Sequence, residues 1–333
     1  MNGGPTIYDV ASAAGVSIAT VSHTMNRPAR VGEETRKRVL AEIDRLGYVP
    51  HAVAVHRART KALRVGVIAP FTSYASFGTR LQGVLRLFAG TAHEVLVYDH
   101  DSVSRISSPR LAMLPVSGQL DGLIVMGIPL DDDTAERLLA RRIPTVLVDG
   151  ARPEFSSIVV DDERGGYLAG RRLIERGASE FLYVSEGQVS RRYVSPGQRR
   201  MHGVIRALGE AGLPPETLRH VAVGPTMADA RKVGAALATV TGTGTGIVAH
   251  HDGIAAGLVA GLRSAGRDVP GEFAVVGFDG GPVAEAAALT TIVQPLARSG
   301  TAGAEVLAQH MRDPETPVKH VTLGVELSEG ATA

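Results

Sequence analysis

The sequence contains no cysteine. That excludes a disulfide scaffold, a thiolate zinc site, an iron–sulfur cluster and a cysteine nucleophile, and it fits a reducing cytoplasm. No stretch of about 18 apolar residues occurs, so no membrane span is expected. The first residues lead into a mixed polar and apolar segment, so no signal peptide and no export by the usual routes are expected. Also missing are a Gly-x-Ser-x-Gly elbow, a His-Glu-x-x-His pair and a phosphate-binding lysine loop. Catalysis is therefore not expected, and no cofactor is implied. The glycine-rich run 241–246 precedes a strand and not a helix, so it fails as a dinucleotide fingerprint and reads as a connector. His250, His251 and Asp252 are consecutive and cannot all converge on one ion without unusual backbone, so no metal site is read there.

What is present is a chain of 333 residues, 44% hydrophobic and 21% charged. At about 150 residues per domain this suggests roughly two domains with sizeable cores. The net charge of +1 hides an asymmetry. Residues 1–60 carry eight basic and five acidic side chains, while the remainder is slightly acidic. A basic head on an acidic body is the electrostatic footprint of a nucleic-acid-binding module.

The head has its own punctuation. Thr6 and Asp9 have the spacing of a capping box. Ile7, Val10, Ala11 and Ala14 follow at helical spacing, and Gly15 can end that helix in a left-handed cap. Ser17 can cap a second helix over Ile18–Met25, with Val21 and Met25 inward, before Asn26-Arg27-Pro28 stops it. A third helix is predicted from Glu33 to Leu46, closed by Gly47. Two short helices around a tight glycine turn, braced by a third, form a helix-turn-helix unit, although spacing alone also allows a generic three-helix bundle.

The residues themselves resemble a family. Thr6-Ile7-Tyr8-Asp9-Val10-Ala11, Ala14-Gly15-Val16-Ser17, Thr20-Val21-Ser22, Asn26 and Leu46-Gly47-Tyr48-Val49-Pro50 are similar to the headpiece of the lac repressor and galactose repressor family of bacterial regulators. The resemblance implies a DNA-binding headpiece over residues 1–50, whose second helix enters the major groove. Ile18 and Ala19 would take its first exposed positions, able only to meet thymine methyls or exclude bases. His23 stands where the family usually has an arginine and can donate singly to guanine. Thr6, Ser17, Thr20, Ser22 and Asn26 would contact phosphates and set register.

Residues 51–61 would form the family's hinge, which in the dimer enters the minor groove. Val53 and Ala54 fit the pattern, but Arg57 occupies the position of the usual leucine wedge. An arginine suits a narrow minor groove better than it unstacks bases, which predicts a less kinked operator.

Beyond residue 62 the pattern becomes α/β. Short apolar runs, at 64–69, 94–99, 122–126, 144–149, 157–161, 181–184, 246–249 and 273–279, alternate with amphipathic segments such as the one bearing Leu81, Val84, Leu85 and Phe88. Such runs indicate parallel sheets covered on both faces, and there are too many for one small sheet. The same resemblance covers this region to about residue 320. It implies a two-lobed core similar to periplasmic sugar-binding proteins: two Rossmann-like parallel-sheet subdomains, one over 62–160 with 293–320, the other over 161–292 with 321–333.

Ligands in such sheets lie beyond the carboxyl ends of the strands. By resemblance Asp149, Arg200 and Asp279 are the main polar effector contacts, with His251 and Gln294 beside them. His251 replaces the family's asparagine. Phe71, Tyr74 and Phe77 would supply the other wall, although lobe core is an equal reading of these aromatics. By periodicity alone Asp149, Asp161, His251-Asp252 and Asp279, all at strand ends, could each be a helix cap or turn residue.

The expectation is a homodimeric, ligand-responsive repressor of a near-palindromic DNA operator. It would act in the cytoplasm on the nucleoid, with a small-molecule effector, a sugar by its carboxylate-rich contacts, with a purine or an anionic effector as open alternatives. The alternative is a sugar-binding protein or sugar-processing enzyme on the same core. No leucine heptads follow Glu326, so a C-terminal helical bundle is not expected.

Overall fold

Thr6 opens the first helix through the capping box the spacing predicts. Its hydroxyl faces the Asp9 N–H, and the Asp9 carboxylate accepts from the Thr6 N–H at 2.7 Å. This is a computed structural model, which describes residues 5–48, 62–100, 109–117, 119–187, 194–224, 226–240, 242 and 244–333. Helix α1 spans Ile7–Ala14 and ends at Gly15 in the left-handed conformation. Helix α2, Ile18–Asn26, is capped by Ser17, whose Oγ accepts from Thr20 N–H at 3.1 Å. Helix α3, Glu33–Leu46, closes on Gly47, again left-handed. Val10, Val21, Val39, Leu40 and Ile43 are fully buried between the three. Met25, predicted inward, is only half-buried; Thr24 takes the buried place one residue earlier. Val53, Ala54 and Arg57, the hinge positions named from sequence, lie outside the described residues.

The first sheet is built from β1 (Leu63–Ala69), β2 (His93–Asp99), β3 (Gly122–Met126), β4 (Thr145–Val148), β5 (Ser156–Val160) and β11 (His320–Leu323), in the order β11-β5-β4-β3-β1-β2. The register from β2 to β5 is parallel throughout. Helices α4 (Ala75–Phe88), α5 (Pro109–Ser117), α6 (Asp132–Ala140) and α12 (Leu296–Arg312) connect or follow these strands. β3 and β4 are buried at every position, as continuous apolar runs require. In α4 the buried face is Phe77, Arg80, Gly83, Val84 and Phe88; Leu85, expected on that face, is exposed. The stripe is rotated because Gly83 must pass close to α12, where a Cβ would lie 2.0 Å from the Ala297 carbonyl oxygen.

The second sheet repeats the same winding. β6 (Glu180–Ser185), β7 (Leu218–Ala222), β8 (Thr245–Ala249), β9 (Phe273–Asp279), β10 (Thr290–Val293) and β12 (Glu326–Ser328) run in the order β12-β10-β9-β8-β6-β7. All pairings are parallel except β10 with β12. Helices α7 (Asp162–Glu175), α8 (Pro196–Glu210), α9 (Met227–Val240), α10 (Asp252–Ser264) and the short α11 (Pro282–Ala286) complete it. Both sheets therefore carry the doubly wound order whose switch point falls beside the first strand, β1 or β6.

The chain divides into two compact units, one of residues 1–158 with 297–320 and the other of 159–296 with 321–333. The headpiece helices fall in the first unit. In the second, α7 and α8 cross at their glycines. A Cβ on Gly166 would lie 1.8 Å from the Arg200 carbonyl oxygen, and one on Gly203 would lie 1.9 Å from that of Glu163. Glycine at 166 and at 203 is thus required by helix packing.

Candidate functional site

Three groups of residues collect the polar side chains singled out by sequence, and each is built by its own local structure.

The first is the amino-terminal face of α2. Ser17, Ile18, Ala19, His23 and Asn26 are exposed, and Ile18, an apolar side chain, is 41% exposed. Ile18 with Ser22, and Ala19 with His23, are four residues apart and so share a face. Two of the expected phosphate contacts already work inside the helix. The Ser17 hydroxyl caps it and lies 2.9 Å from Thr20 Oγ1, and Asn26 Nδ2 donates to the Ser22 carbonyl at 3.0 Å. Thr6 similarly holds Asp9, whose carboxyl sits below the usual range because the Thr6 hydroxyl and N–H both donate to it. Sequence reasoning passed over Tyr8, which is 68% exposed in the first turn of α1. An exposed phenol beside a helix N-terminus is an apt phosphate donor. The clue was available: Tyr8 falls outside the Ile7, Val10, Ala11, Ala14 stripe.

The second group lies at the carboxyl ends of β1 and β4. Asp149 follows β4 with φ 59°, and its carboxylate pairs with Arg80 Nη2 at 2.7 Å. Both side chains are buried. Asp149 is therefore no helix cap. It is a left-handed residue held by a buried cation. Arg80, missed from sequence, was visible as the one charge on the Phe77, Val84, Phe88 stripe. Phe77 is buried, and its ring fills the space where a Cβ on Gly127 would lie 2.3 Å away. Of the three aromatics named, Phe77 is thus lobe core, while Phe71 and Tyr74 are half-buried, with Tyr74 edge-on to Phe77.

The third group lies at the carboxyl ends of β8, β9 and β10. Arg200, on α8, is buried. Its Nε donates to Asp162 Oδ1 at 2.9 Å, its Nη1 to the His250 carbonyl at 2.6 Å, and its guanidinium lies 3.7 Å from the Phe278 ring centroid. Two of its nitrogens and one face are thus engaged inside the lobe. Asp279 ends β9 with φ 124°, a rare conformation for a residue with a side chain. Gln294 Nε2 donates to its Oδ1 at 2.6 Å, so these two expected contacts form one unit. His251 caps α10, its Nδ1 accepting from the Ile254 N–H at 3.3 Å. Burial, then Arg200, pushes its imidazole down to about 4. With Nδ1 accepting, the proton of the neutral ring sits on Nε2, so His251 is a donor where an asparagine side chain would offer both donor and acceptor. Burial, then Arg200, also holds His250 well below the usual range.

Asp252 belongs to this group; the sequence marks it as a strand-end residue, but not among the effector contacts. It is buried, with Oδ1 accepting from Thr291 Oγ1 at 2.6 Å and Oδ2 from the Gly280 N–H at 2.7 Å. Burial, then the charge of Asp279, pushes it up to about 7. Asp161, by contrast, is the helix cap that periodicity allowed, accepting from the Arg164 N–H at 2.9 Å. The arrangement offers carboxylates, an amide and an imidazole donor, a set suited to hydroxyl recognition.

Comparison with known proteins follows the same division. Residues 6–51 match the profile of bacterial regulatory proteins of the lacI family, and residues 170–333 that of a periplasmic binding protein-like domain. The chain is 30% identical over 317 residues to the HTH-type transcriptional repressor PurR of Vibrio parahaemolyticus, covering 93% of each. It is 29% identical over 313 residues to catabolite control protein A of Priestia megaterium, covering 92% of each. Among solved structures, a LacI family transcriptional regulator from Enterococcus faecium with bound ribose is 25% identical, with TM-score 0.71 over 81% of this chain and 98% of that one. The lac repressor dimer bound to operator shares the fold at 22% identity, with TM-score 0.68 over 99% of both chains.

Proposed function

The chain belongs to the LacI family of bacterial regulatory proteins, and from that premise we propose how its own residues divide the work of a ligand-responsive repressor. It is a DNA-binding transcription regulator and not an enzyme. As a dimer it meets a near-palindromic operator, because two-fold protein symmetry is mirrored in paired half-sites. The work takes place in the cytoplasm, on the nucleoid. The observation that carries this reading is the exposed, serine-capped N-terminal face of α2, with Ile18, Ala19 and His23 outward.

Ile18 and Ala19 read by shape and His23 reads by one donor. Replacing His23 by alanine is expected to weaken the preferred operator by about 1–3 kcal/mol and to relax preference at a single base pair of each half-site. Tyr8→Phe is expected to weaken all sequences alike. Selection of bound sequences from a random pool, done for both variants, checks this. An unchanged preferred sequence for the alanine variant would remove His23 from base reading.

The effector we assign is a sugar, met by Asp279, Gln294 and His251 at the carboxyl ends of β8, β9 and β10 in the second unit. A similar regulator carries bound ribose, and the donor and acceptor set suits vicinal hydroxyls. Effector and DNA affinities must change each other by the same factor. Asp279→Asn keeps the shape and removes one charge, so it is expected to abolish the thermal shift given by a sugar hit while leaving the ligand-free midpoint within about 2 °C. A retained shift would move the effector away from Asp279.

A further inference from the structure

Asp44 occupies the last turn of α3, where the helix dipole disfavours a negative charge. Its position is accounted for by the first lobe. Asp44 Oδ2 accepts from Arg137 Nε at 2.8 Å, and Oδ1 accepts from Arg141 Nη2 at 2.8 Å and from its Nε at 3.1 Å. Arg137 and Arg141 are four residues apart at the end of α6, on one face and on the end of the helix that favours cations. Their side chains are 16% and 21% exposed, so the pair is drier than an ordinary surface bridge. Beside it, Met113 and Val116 of α5 are buried in one apolar cluster with Val10, Val21, Leu40 and Ile43 of the headpiece. Asp133 and Glu136 face the same cleft, so the arginines are what make it attractive to Asp44. The docked side is α3, the brace, together with the turn at 28–30 and part of α2, which also meet α5. The reading side of α2 stays outward.

We propose that this clasp is a working joint: the headpiece docks through α3 on α5 and α6 of its own first lobe, and the lobe thereby holds the recognition helix in one orientation for DNA. This rests on the regulator reading above and joins headpiece to lobe by side-chain contact. A lobe that shifts α6 would carry the reading face with it, and a preorganised headpiece loses less freedom on binding.

The test uses full-length protein and a half-site-matched operator. Asp44→Arg adds positive charge to the headpiece, so counterion release alone predicts tighter DNA binding. The joint predicts the opposite, a loss of about tenfold, because three cations then face one another. Arg137→Glu with Arg141→Glu should weaken binding similarly, and combining all three substitutions should restore it to within about threefold of wild type. Hydrogen exchange without DNA gives an independent reading. Exchange at 110–117 should rise in either partial variant and fall back in the combined one. Tighter or unchanged binding by Asp44→Arg, or exchange at 110–117 equal to wild type, overturns the joint. Failure of the wild-type protein to bind any operator would sink the regulator reading instead, and the exchange arm would still decide the joint.

Discussion

Asp162→Asn is expected to destabilise the second unit by about 3–5 kcal/mol, because it leaves Arg200 buried without its carboxylate. For a unit of this size that is a fall of roughly 6–20 °C in its thermal midpoint. Asp162 also stands in the first turn of α7, where its charge favours the helix dipole. Replacing both partners with apolar residues of similar volume, Asp162→Leu with Arg200→Met, should recover most of the loss, since neither charge is then stranded. Calorimetry of the two proteins checks this, and a fall of under 2 °C for Asp162→Asn would mean that the pair carries little. Its functional bearing is direct. Arg200 was chosen from sequence as an effector contact, yet it holds Asp162, the His250 carbonyl and the Phe278 ring together. An effector response lost in Arg200→Ala would therefore report a loosened lobe, and Asp279→Asn is the cleaner probe.

Where the sequence carried the fold, local rules were enough. Thr6, Ser17, Gly15 and Gly47 mark helix ends because caps depend on a few adjacent residues. The buried runs 122–126 and 273–279 are strands with the bounds read for them. The strands that escaped notice are β7, β11 and β12, all at sheet edges, and the buried β10, a short run that opens on two threonines. β7 is half exposed along its length and has no apolar run, and β11 and β12 alternate exposed with half-buried residues. Such strands are defined by partners far away in sequence.

The same limit governs the site. The strand-end carboxylates were legible because a doubly wound sheet puts its polar work there. Their partners were not. Arg80 lies 69 positions before Asp149, and Thr291 lies 39 after Asp252. The left-handed backbone of Asp149 and Asp279 was also invisible, since aspartate is common in turns and caps, and spacing cannot tell these apart.

Asp252 should make stability depend on pH near neutrality, with a sign opposite to that of its histidine neighbours. Its folded carboxyl is raised to about 7 by burial and by Asp279, against an ordinary 3.8. The folded state thus binds its proton more tightly than the unfolded chain. The stability it contributes is complete below about pH 4, declines as pH rises and is gone above about pH 7. His251, lowered to about 4 by burial and Arg200, works the other way: the unfolded chain takes its proton first, so stability rises with pH from about 4 to 6.5. In wild type the two slopes oppose each other. Asp252→Asn removes the falling one, so the variant should gain on wild type by up to about 1.4 kcal/mol per pH unit between pH 4 and 7, with no further change above. His251→Asn should gain on wild type as pH falls through 6.5. Denaturant unfolding of each protein at pH steps from 4.5 to 8.5 gives both differences. A flat difference for Asp252→Asn would make it an ordinary carboxylate. A sloping one would mean that Asp252 stays partly protonated up to neutrality, which eases its repulsion with Asp279 while that residue accepts from Gln294.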